Sequence, residues 1–191
     1  SLAVHCAHLV AAEFPDGQLY VDLQGHQSSP TDPAAVLERF LRALGVDGRG
    51  VPEDVAERAA MYRDLLADRR VLVVLDNAGS EAQVRPLLPA SPYCAVLVTS
   101  RARLGALEVS HRIDLGLFDE QSAVDLLTRI IGPDRVAENL PAATRIARLC
   151  GHLPLALRIA AARLVARPHW SLSQLLTRLS DEHRRLDELV A

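Results

Sequence analysis

Polar side chains close two strongly apolar runs of this sequence. Asp76 and Asn77 follow the run VLVVL, and Thr99, Ser100 and Arg101 follow the run AVLV. A carboxylate that ends a buried strand commonly holds Mg²⁺, directly or through water, beside a nucleotide phosphate. A neighbouring guanidinium can pair with a terminal phosphate through charge-assisted hydrogen bonds. The residue types at these two positions therefore predict magnesium and phosphate chemistry.

A structural explanation of the same residues stays open. Strands often end in Asp because this residue stabilises the turn that follows. Spacing alone is as consistent with a structural Asp76 as with a functional one, and it favours a structural Arg101.

The elements that would position these side chains are strands of a parallel sheet. Residues 70–76 and 95–100 are apolar without alternation, which is typical of parallel strands buried on both faces. Residues 18–23 read as a strand before them, and residues 112–115 as a weaker strand at the end of the sheet. Helices between strands imply right-handed crossovers, which bring the strands' carboxyl ends to one edge, where ligands bind.

The pattern changes near Leu117, after which only helices are predicted. Earlier helices are expected over residues 2–14, 33–44, 53–67 and 80–88. Later ones begin at Asp119, Pro141, Pro154 and Ser171, and Ser180-Asp181 opens a last one. The sequence thus predicts an α/β half over residues 1–117, an all-α part over 118–180, and over 181–191 the start of a following helical or winged-helix segment.

Composition narrows the class of protein further. All 21 basic residues are arginine, and the net charge is −3, which gives no general reason to expect a nucleic-acid or membrane surface. The absence of lysine excludes a Schiff-base lysine and a phosphate-binding P-loop lysine within these residues. No apolar run is long enough to span a bilayer, and no signal peptide is visible. Three widely spaced cysteines in apolar surroundings favour reduced thiols and a cytoplasmic location.

Three ordered motifs carry a resemblance to a known family: RRVLVVLDNA (69–78), VLVTSRARL (96–104) and CGHLPLALRIAAARL (150–164). They resemble the NB-ARC domain of the STAND class of signal-transduction NTPases. The resemblance is closest to the Streptomyces antibiotic regulatory proteins and their actinobacterial relatives. The flanking pieces LAVHCAH, FPDGQLYVDLQG, QVRPLLP and DEHRRLDEL fit as well. The resemblance implies a P-loop NTPase-like parallel sheet followed by a helical subdomain.

The resemblance also implies a role for each matching residue. Asp76 would be the Walker B aspartate that organises Mg²⁺, and Arg101 the sensor arginine that reads the terminal phosphate. A proline in the family's GLPL motif packs against adenine, so ADP or ATP would bind between the α/β part and the helical part. That motif is matched by Gly151, Leu153, Pro154 and Leu155.

The sequence departs from the family pattern in three places. The family's P-loop, GxxxxGK[ST], and its first strand are expected immediately before Ser1, so nucleotide binding by these residues alone should be weak or absent. Asn77 stands where many relatives carry a second acid, and an amide cannot take a proton near neutral pH, which predicts slow or no hydrolysis. His152 replaces a small residue or Asn, either as a nucleotide contact or as a solvent-facing turn residue.

The leading functional hypothesis is therefore an ADP/ATP-binding regulatory switch of a transcriptional regulator. Its expected partners are other domains of the same regulator, and a second copy is left open as a further partner. DNA is expected to be contacted only through a domain outside this chain, and no membrane partner is expected. The alternative is a degenerate scaffold module that binds no nucleotide. An ATPase with rapid turnover is the least supported class.

Overall fold

The computed structural model of this chain describes residues 2–190, and the side chains of residues 2–181. It divides into two compact units, Ser1–His111 and Arg112–Ala191. We call the first the sheet unit and the second the helical unit. Within the described range, no helix is long and apolar enough to cross a membrane.

A parallel sheet forms the centre of the sheet unit. In the described residues it contains β1 (Gln18–Asp22), β2 (Leu72–Ala78) and β3 (Ala95–Ser100), in the order β1-β2-β3. Asp22 lies opposite Asp76 in the first ladder, and the second ladder has a register shift between Leu75 and Ala78. The prediction of an α/β unit with a parallel sheet is confirmed, and the carboxyl ends of the three strands meet at one edge.

The central position of β2 explains its uninterrupted apolar sequence. On one face, Val73 and Leu75 belong to the main core, which also takes in α2 (Pro33–Ala43) and α3 (Val55–Leu66). On the other face, Leu72 and Val74 pack with Ala3 of α1 (Leu2–Val10). A strand covered on both faces has no solvent side, so it needs apolar residues at successive positions.

The predicted strand at residues 112–115 is wrong. Residues 108–117 form neither strand nor helix, and Ile113 and Leu115 are 81% and 73% exposed. Two apolar residues in alternation satisfy the pattern of a strand, but a strand also needs a ladder partner for its backbone groups. Within the described part of the chain, β3 pairs only with β2 and its side chains are half-buried, as in an edge strand.

Helix boundaries in the sheet unit follow local signals. Asp32 and Asp54 cap α2 and α3, because each side chain accepts a hydrogen bond from a backbone N–H of the first turn. The helix predicted over residues 80–88 is shorter, with α4 (Glu81–Val84) followed by a 3₁₀ turn at Arg85–Leu87 that contains a proline.

The helical unit is built from α5 (Glu120–Ile131), α6 (Pro133–Ala137), α7 (Leu140–Leu149), α8 (Pro154–Val165) and α9 (Leu172–Val190). The helix starts that were predicted in this unit at Asp119 and at Pro154 are both confirmed. Asp119 accepts a hydrogen bond from the N–H of Ser122 at 2.6 Å. The short α6 was not predicted, because Gly132-Pro133 reads as a break although proline also suits a first helical turn.

The predicted helix break at Ser180-Asp181 is also wrong, because α9 runs from Leu172 to Val190 without interruption. Neither residue supplies a proline or a glycine that would stop a helix there. The separate segment predicted over 181–191 involves side chains that lie beyond residue 181, outside the described ones.

Candidate functional site

Asp76 is a buried carboxylate at the carboxyl edge of the sheet, where its side chain is only 6% exposed. Its Oδ1 accepts a hydrogen bond from the Thr99 hydroxyl, and the Tyr20 hydroxyl lies 3.4 Å from its Oδ2. None of the salt bridges among the described side chains includes it. A buried carboxylate without a positive partner is costly, so a cation would complete this site.

Asn77 is held in a left-handed backbone conformation, with φ of +55°. Its N–H donates to Thr99 Oγ1 at 2.9 Å, and its carbonyl oxygen accepts from the N–H of Gly25 at 2.8 Å. Its side-chain Nδ2 donates to Asp22 Oδ1 at 3.0 Å. Asparagine tolerates this backbone region better than most residues, and here each of these backbone and side-chain groups has a partner.

Two residues of this site were missed by the sequence analysis. Asp22 ends β1 opposite Asp76, and its Oδ1 also accepts from the N–H of Gln24 at 3.0 Å. The hydrogen bond from the Asn77 amide, followed by that from Gln24, lowers the pKa of the Asp22 carboxyl. Desolvation and the nearby Asp76 and Asp22 carboxylates raise the pKa of Tyr20, which keeps its hydroxyl a hydrogen-bond donor.

Two glycines bring the loops after β1 and β2 into direct backbone contact. A Cβ added to Gly25 would lie 2.0 Å from the backbone nitrogen of Gly79, closer than any real contact. The buried Gln83 side chain ties the same loops together, with Nε2 donating to the carbonyl of Leu23 at 2.7 Å. The sequence signal is a shared spacing, since Asp-x-x-Gly ends both strands as DLQG and DNAG.

The three residues that end β3 differ in their surroundings. Thr99 joins Asp76 and Asn77 through its hydroxyl, as described above. Ser100 Oγ donates to the carbonyl of Ala78 at 2.7 Å and accepts from the N–H of Ala102 at 3.0 Å, so backbone groups engage it. Arg101 is exposed, and its guanidinium has no partner among the described residues. The structure therefore gathers Asp76, Asn77 and Thr99 and leaves Arg101 accessible.

The other predicted site residues lie in the helical unit, in the turn that enters α8. Gly151 has φ of +59°, and Pro154 occupies the first turn of the helix, where its missing N–H costs nothing. Leu153 and Leu155 flank the proline, and both are exposed. This turn therefore presents a rigid, apolar surface.

His152 differs from the solvent-facing histidine considered for this turn. Its Nε2 is buried and has no hydrogen-bond partner among the described residues. Its φ is +53°, its N–H donates to the Ala147 carbonyl at 3.1 Å, and its carbonyl accepts from the N–H of Phe118 at 3.2 Å. The backbone N–H of Ser122 most strongly lowers the pKa of Asp119, and His152 contributes to the same shift.

The donor groups at the sheet edge suit magnesium. Carboxylate, hydroxyl and amide oxygens come from Asp76, Thr99 and Asn77, and Mg²⁺ prefers such hard oxygen ligands. No group of three or more His, Cys, Asp or Glu side chains in the searched residues could hold a metal by itself. A magnesium ion at this edge would therefore keep several waters or share phosphate oxygens, which is how Mg²⁺ usually binds.

Comparison with known proteins adds a relationship to this geometry. No protein-family model matches the sequence. Over all 191 residues the chain is 53% identical to part of Regulatory protein AfsR of Streptomyces coelicolor and 52% identical to part of Regulatory protein AfsR of Streptomyces griseus. It spans only 19% and 20% of the lengths of these relatives. The chain is therefore homologous, over its whole length, to a segment of two Streptomyces regulatory proteins.

Proposed function

We propose that this chain is the nucleotide-binding switch of a transcriptional regulator, an NB-ARC module that binds ADP or ATP with Mg²⁺. The observation that carries the proposal is the buried Asp76 carboxylate, which has hydroxyl donors but no cationic partner in the described part of the chain. Its place at the carboxyl edge of a parallel sheet is where such folds bind ligands. The homology to regulatory proteins supports a regulatory role.

Each residue at the sheet edge has a distinct task in this proposal. Asp76 holds the hydrated cation, and the Thr99 hydroxyl keeps the carboxylate oriented. Bound Mg²⁺ supplies charge neutralisation for the phosphates. Asn77 accepts a hydrogen bond from water but takes no proton, so hydrolysis is slow or absent. Arg101 contacts the terminal phosphate, and the difference between ADP and ATP at this guanidinium makes the module a switch.

The turn before α8 supplies the apolar contact for the base. Pro154 presents a flat face whose shape does not depend on a side-chain rotamer, and Leu153 and Leu155 extend it. Gly151 allows the left-handed backbone that this turn requires.

The proposal also covers partners and location. The regulator would act in the cytoplasm, and its other domains would respond to the nucleotide state of this one. DNA would be contacted only by a domain outside this chain. A switch works through a conformational state that one ligand binds more tightly than the other. In this proposal the state that ATP favours is the one that assembles with a second copy.

Calorimetric titration of ADP and ATP into the intact protein, with and without Mg²⁺, tests this function. Asp76→Asn should weaken the Mg²⁺-dependent part of the affinity by about 10–100-fold, the usual range for loss of a metal-site group. Arg101→Ala should weaken ATP more than ADP, and Pro154→Ala should weaken both equally. Asp16→Asn is the matched control, because Asp16 accepts a hydrogen bond from the N–H of Arg70 at the opposite end of the strands. Nucleotide affinity that none of the three substitutions changes would contradict the proposal.

A scaffold module that binds no nucleotide is the second candidate, and exposed apolar residues on α8 favour it. Leu155 and Ile159 are 71% and 53% exposed, and they lie one helical turn apart on the same side of the helix. Such residues together can form a protein contact. The scaffold reading predicts that Leu155→Asp and Ile159→Asp abolish regulation in a protein that shows no nucleotide binding.

A further inference from the structure

A chain of hydrogen bonds links all three strands at the carboxyl edge of the sheet. It runs from Asp22 through the Asn77 side chain and backbone to Thr99, and from Thr99 to Asp76. The first link joins the end of β1 to the end of β2, and the others join β2 to β3. Asp22 therefore belongs to the same network as the proposed cation ligand, although it lies 54 positions earlier in the sequence.

The backbone of Asn77 is fixed before its side chain is considered. Thr99 accepts from its N–H, and Gly25 donates to its carbonyl. The freedom that remains is rotation of the amide, whose last torsion is broad and roughly two-fold. Left alone, an exposed asparagine would present its oxygen or its nitrogen to the same point in space.

Asp22 removes that freedom because an ionised carboxylate can only accept hydrogen bonds. The group of Asn77 that faces it must be the Nδ2 donor, at 3.0 Å. The amide oxygen of Asn77 then lies in the same plane on the opposite side of the Cβ–Cγ bond, where it can accept a hydrogen bond. The exposed side chain of Asn77 leaves this oxygen accessible to water.

We propose that Asp22 is a positioning residue for the magnesium and water of this site. It fixes the orientation of the Asn77 amide, so that the amide oxygen accepts a hydrogen bond from the bound water. The inference rests on the proposed function. Asn77 lacks the proton-accepting power of an acid, but with its amide oriented it keeps an acid's ability to hold water in place. In the pair formed by Asp22 and Asn77, the carboxylate is thus supplied by Asp22 at the end of β1.

A purely local role for Asp22 makes a different prediction. The same Oδ1 accepts from the N–H of Gln24, so Asp22 also stabilises the turn after β1. Asp22→Asn keeps an acceptor for that turn, but its amide can offer Asn77 either a donor or an acceptor. Because both hydrogen bonds end on the same Oδ1, the substitution keeps an oxygen for the turn but removes the charge, which weakens the hydrogen bond that orients Asn77.

Mn²⁺ serves as the probe, and its binding to the intact protein with ADP is measured by electron paramagnetic resonance. Asp22→Asn should weaken Mn²⁺ binding by about 10-fold, the lower end of the usual effect for a residue that orients a metal-site group. Asp16→Asn, the cross-strand aspartate at the other end of β1, should leave it unchanged. The exchanged pair Asp22→Asn with Asn77→Asp should restore the affinity, because one carboxylate and one amide again face each other.

A second readout concerns the amide itself and needs no metal. In the unaltered protein, the side-chain NH₂ signal lost on Asn77→Ala should show one proton shifted downfield and slow to exchange. In Asp22→Asn this signature should be weakened while the protein remains folded. Because the signature is first measured on the unaltered chain, an unfolded variant would not remove the test.

The possible failures are distinguishable. If Asp22→Asn matches the unaltered protein in Mn²⁺ affinity and in the amide signal while Asp76→Asn loses Mn²⁺, the inference is overturned and the proposed function stands. An exchanged pair that binds Mn²⁺ no better than Asp22→Asn overturns it as well. If the unaltered protein binds neither ADP nor Mn²⁺, the proposed function fails and takes the inference with it.

Discussion

Both candidate regions of the molecule hold a residue other than glycine in the left-handed conformation, but they satisfy it differently. Asn77 has φ of +55° at the sheet edge, and its side chain and backbone are hydrogen-bonded to Asp22, Thr99 and Gly25. His152 has φ of +53° in the turn before α8, and its buried Nε2 has no partner in the described part of the chain.

The two regions differ in whether the polar groups of the left-handed residue all have hydrogen-bond partners. At the sheet edge, backbone strain is offset by hydrogen bonds, so the side chains are positioned before any ligand binds. In the turn, the backbone groups of His152 are hydrogen-bonded too, but its buried side-chain Nε2 is unsatisfied, although such atoms are rare in folded proteins. Strained and unsatisfied residues tend to lie where a protein binds or switches. We infer that the sheet edge is preorganised and that a ligand would change the conformation of the turn more than that of the sheet edge.

The largest expected effect comes from a substitution that disrupts the backbone contact between Gly25 and Gly79 at the sheet edge. Gly25→Ala places a Cβ 2.0 Å from the Gly79 nitrogen, so the two loops must separate and the network around Asn77 must distort. We expect the local stability of β2 to fall by about 3 kcal/mol or more. Hydrogen-exchange mass spectrometry of the β2 amides in the intact protein measures it. Gly105→Ala is the matched control, because nothing lies within 4 Å of its added Cβ, and protection as strong as in the control would contradict the prediction.

The strong local signals explain which parts of the fold could be predicted. Continuous apolar runs predicted β2 and β3 as parallel strands buried on both faces, which is right for β2 and wrong for the half-buried β3. Capping residues and proline predicted the starts of α5 and α8. The strand at 112–115 failed because a two-residue pattern cannot specify a distant pairing partner. The sequence predicts too short a helix before Ser180-Asp181, because this polar pair matches the pattern of a helix cap although α9 continues through it.

The candidate site was predicted where its residues lie at strand ends and missed where it depends on contacts between strands. Asp76, Asn77 and Thr99 could be found from their positions after apolar runs. Asp22 required the register that places it opposite Asp76, and nothing local indicates that register. The repeated Asp-x-x-Gly spacing was present in the sequence, yet its meaning, two glycines in backbone contact, emerges only when the strands are paired.

A smaller expected effect concerns the two hydrogen bonds that the Thr99 hydroxyl makes. Thr99→Val keeps the shape of the side chain but removes the donor to Asp76 and the acceptor for the Asn77 N–H. Because a buried carboxylate then loses a donor, we expect β2 to be destabilised by about 2 kcal/mol. Thr99→Ser retains the hydroxyl and should recover most of this loss. Hydrogen exchange at the Asn77 amide reports it, and equal exchange in the valine and serine variants would show that the hydroxyl is not the cause.

A pH dependence tests the link between Asp22 and Asn77. The folded state lowers the pKa of the Asp22 carboxyl below the ordinary value of about 3.9, so its contribution to stability is complete above that pH. It should decline as the pH falls through the folded pKa and vanish below it. The stability difference between the unaltered protein and Asp22→Asn, followed by hydrogen exchange from pH 6 downwards, should therefore shrink only under acid conditions. A difference that stays constant through this range would contradict the role of an ionised Asp22.

The smallest effect gives the sharpest contrast, because the same substitution should act differently at Asn77 and at His152. His152→Gly removes a conformational cost of about 1 kcal/mol, and the greater freedom of glycine in the unfolded chain returns about 0.5–1 kcal/mol, so the net change should lie near zero. Asn77→Gly gains the same relief but also deprives Asp22 of one of its two donors, so it should destabilise the sheet edge by about 1 kcal/mol. Hydrogen exchange of α8 and β2 amides in the two variants measures both changes. If His152→Gly loosened α8 as much as Asn77→Gly loosens β2, His152 would have to make a stabilising contact of its own, and the contrast between a satisfied edge and an unsatisfied turn would not hold.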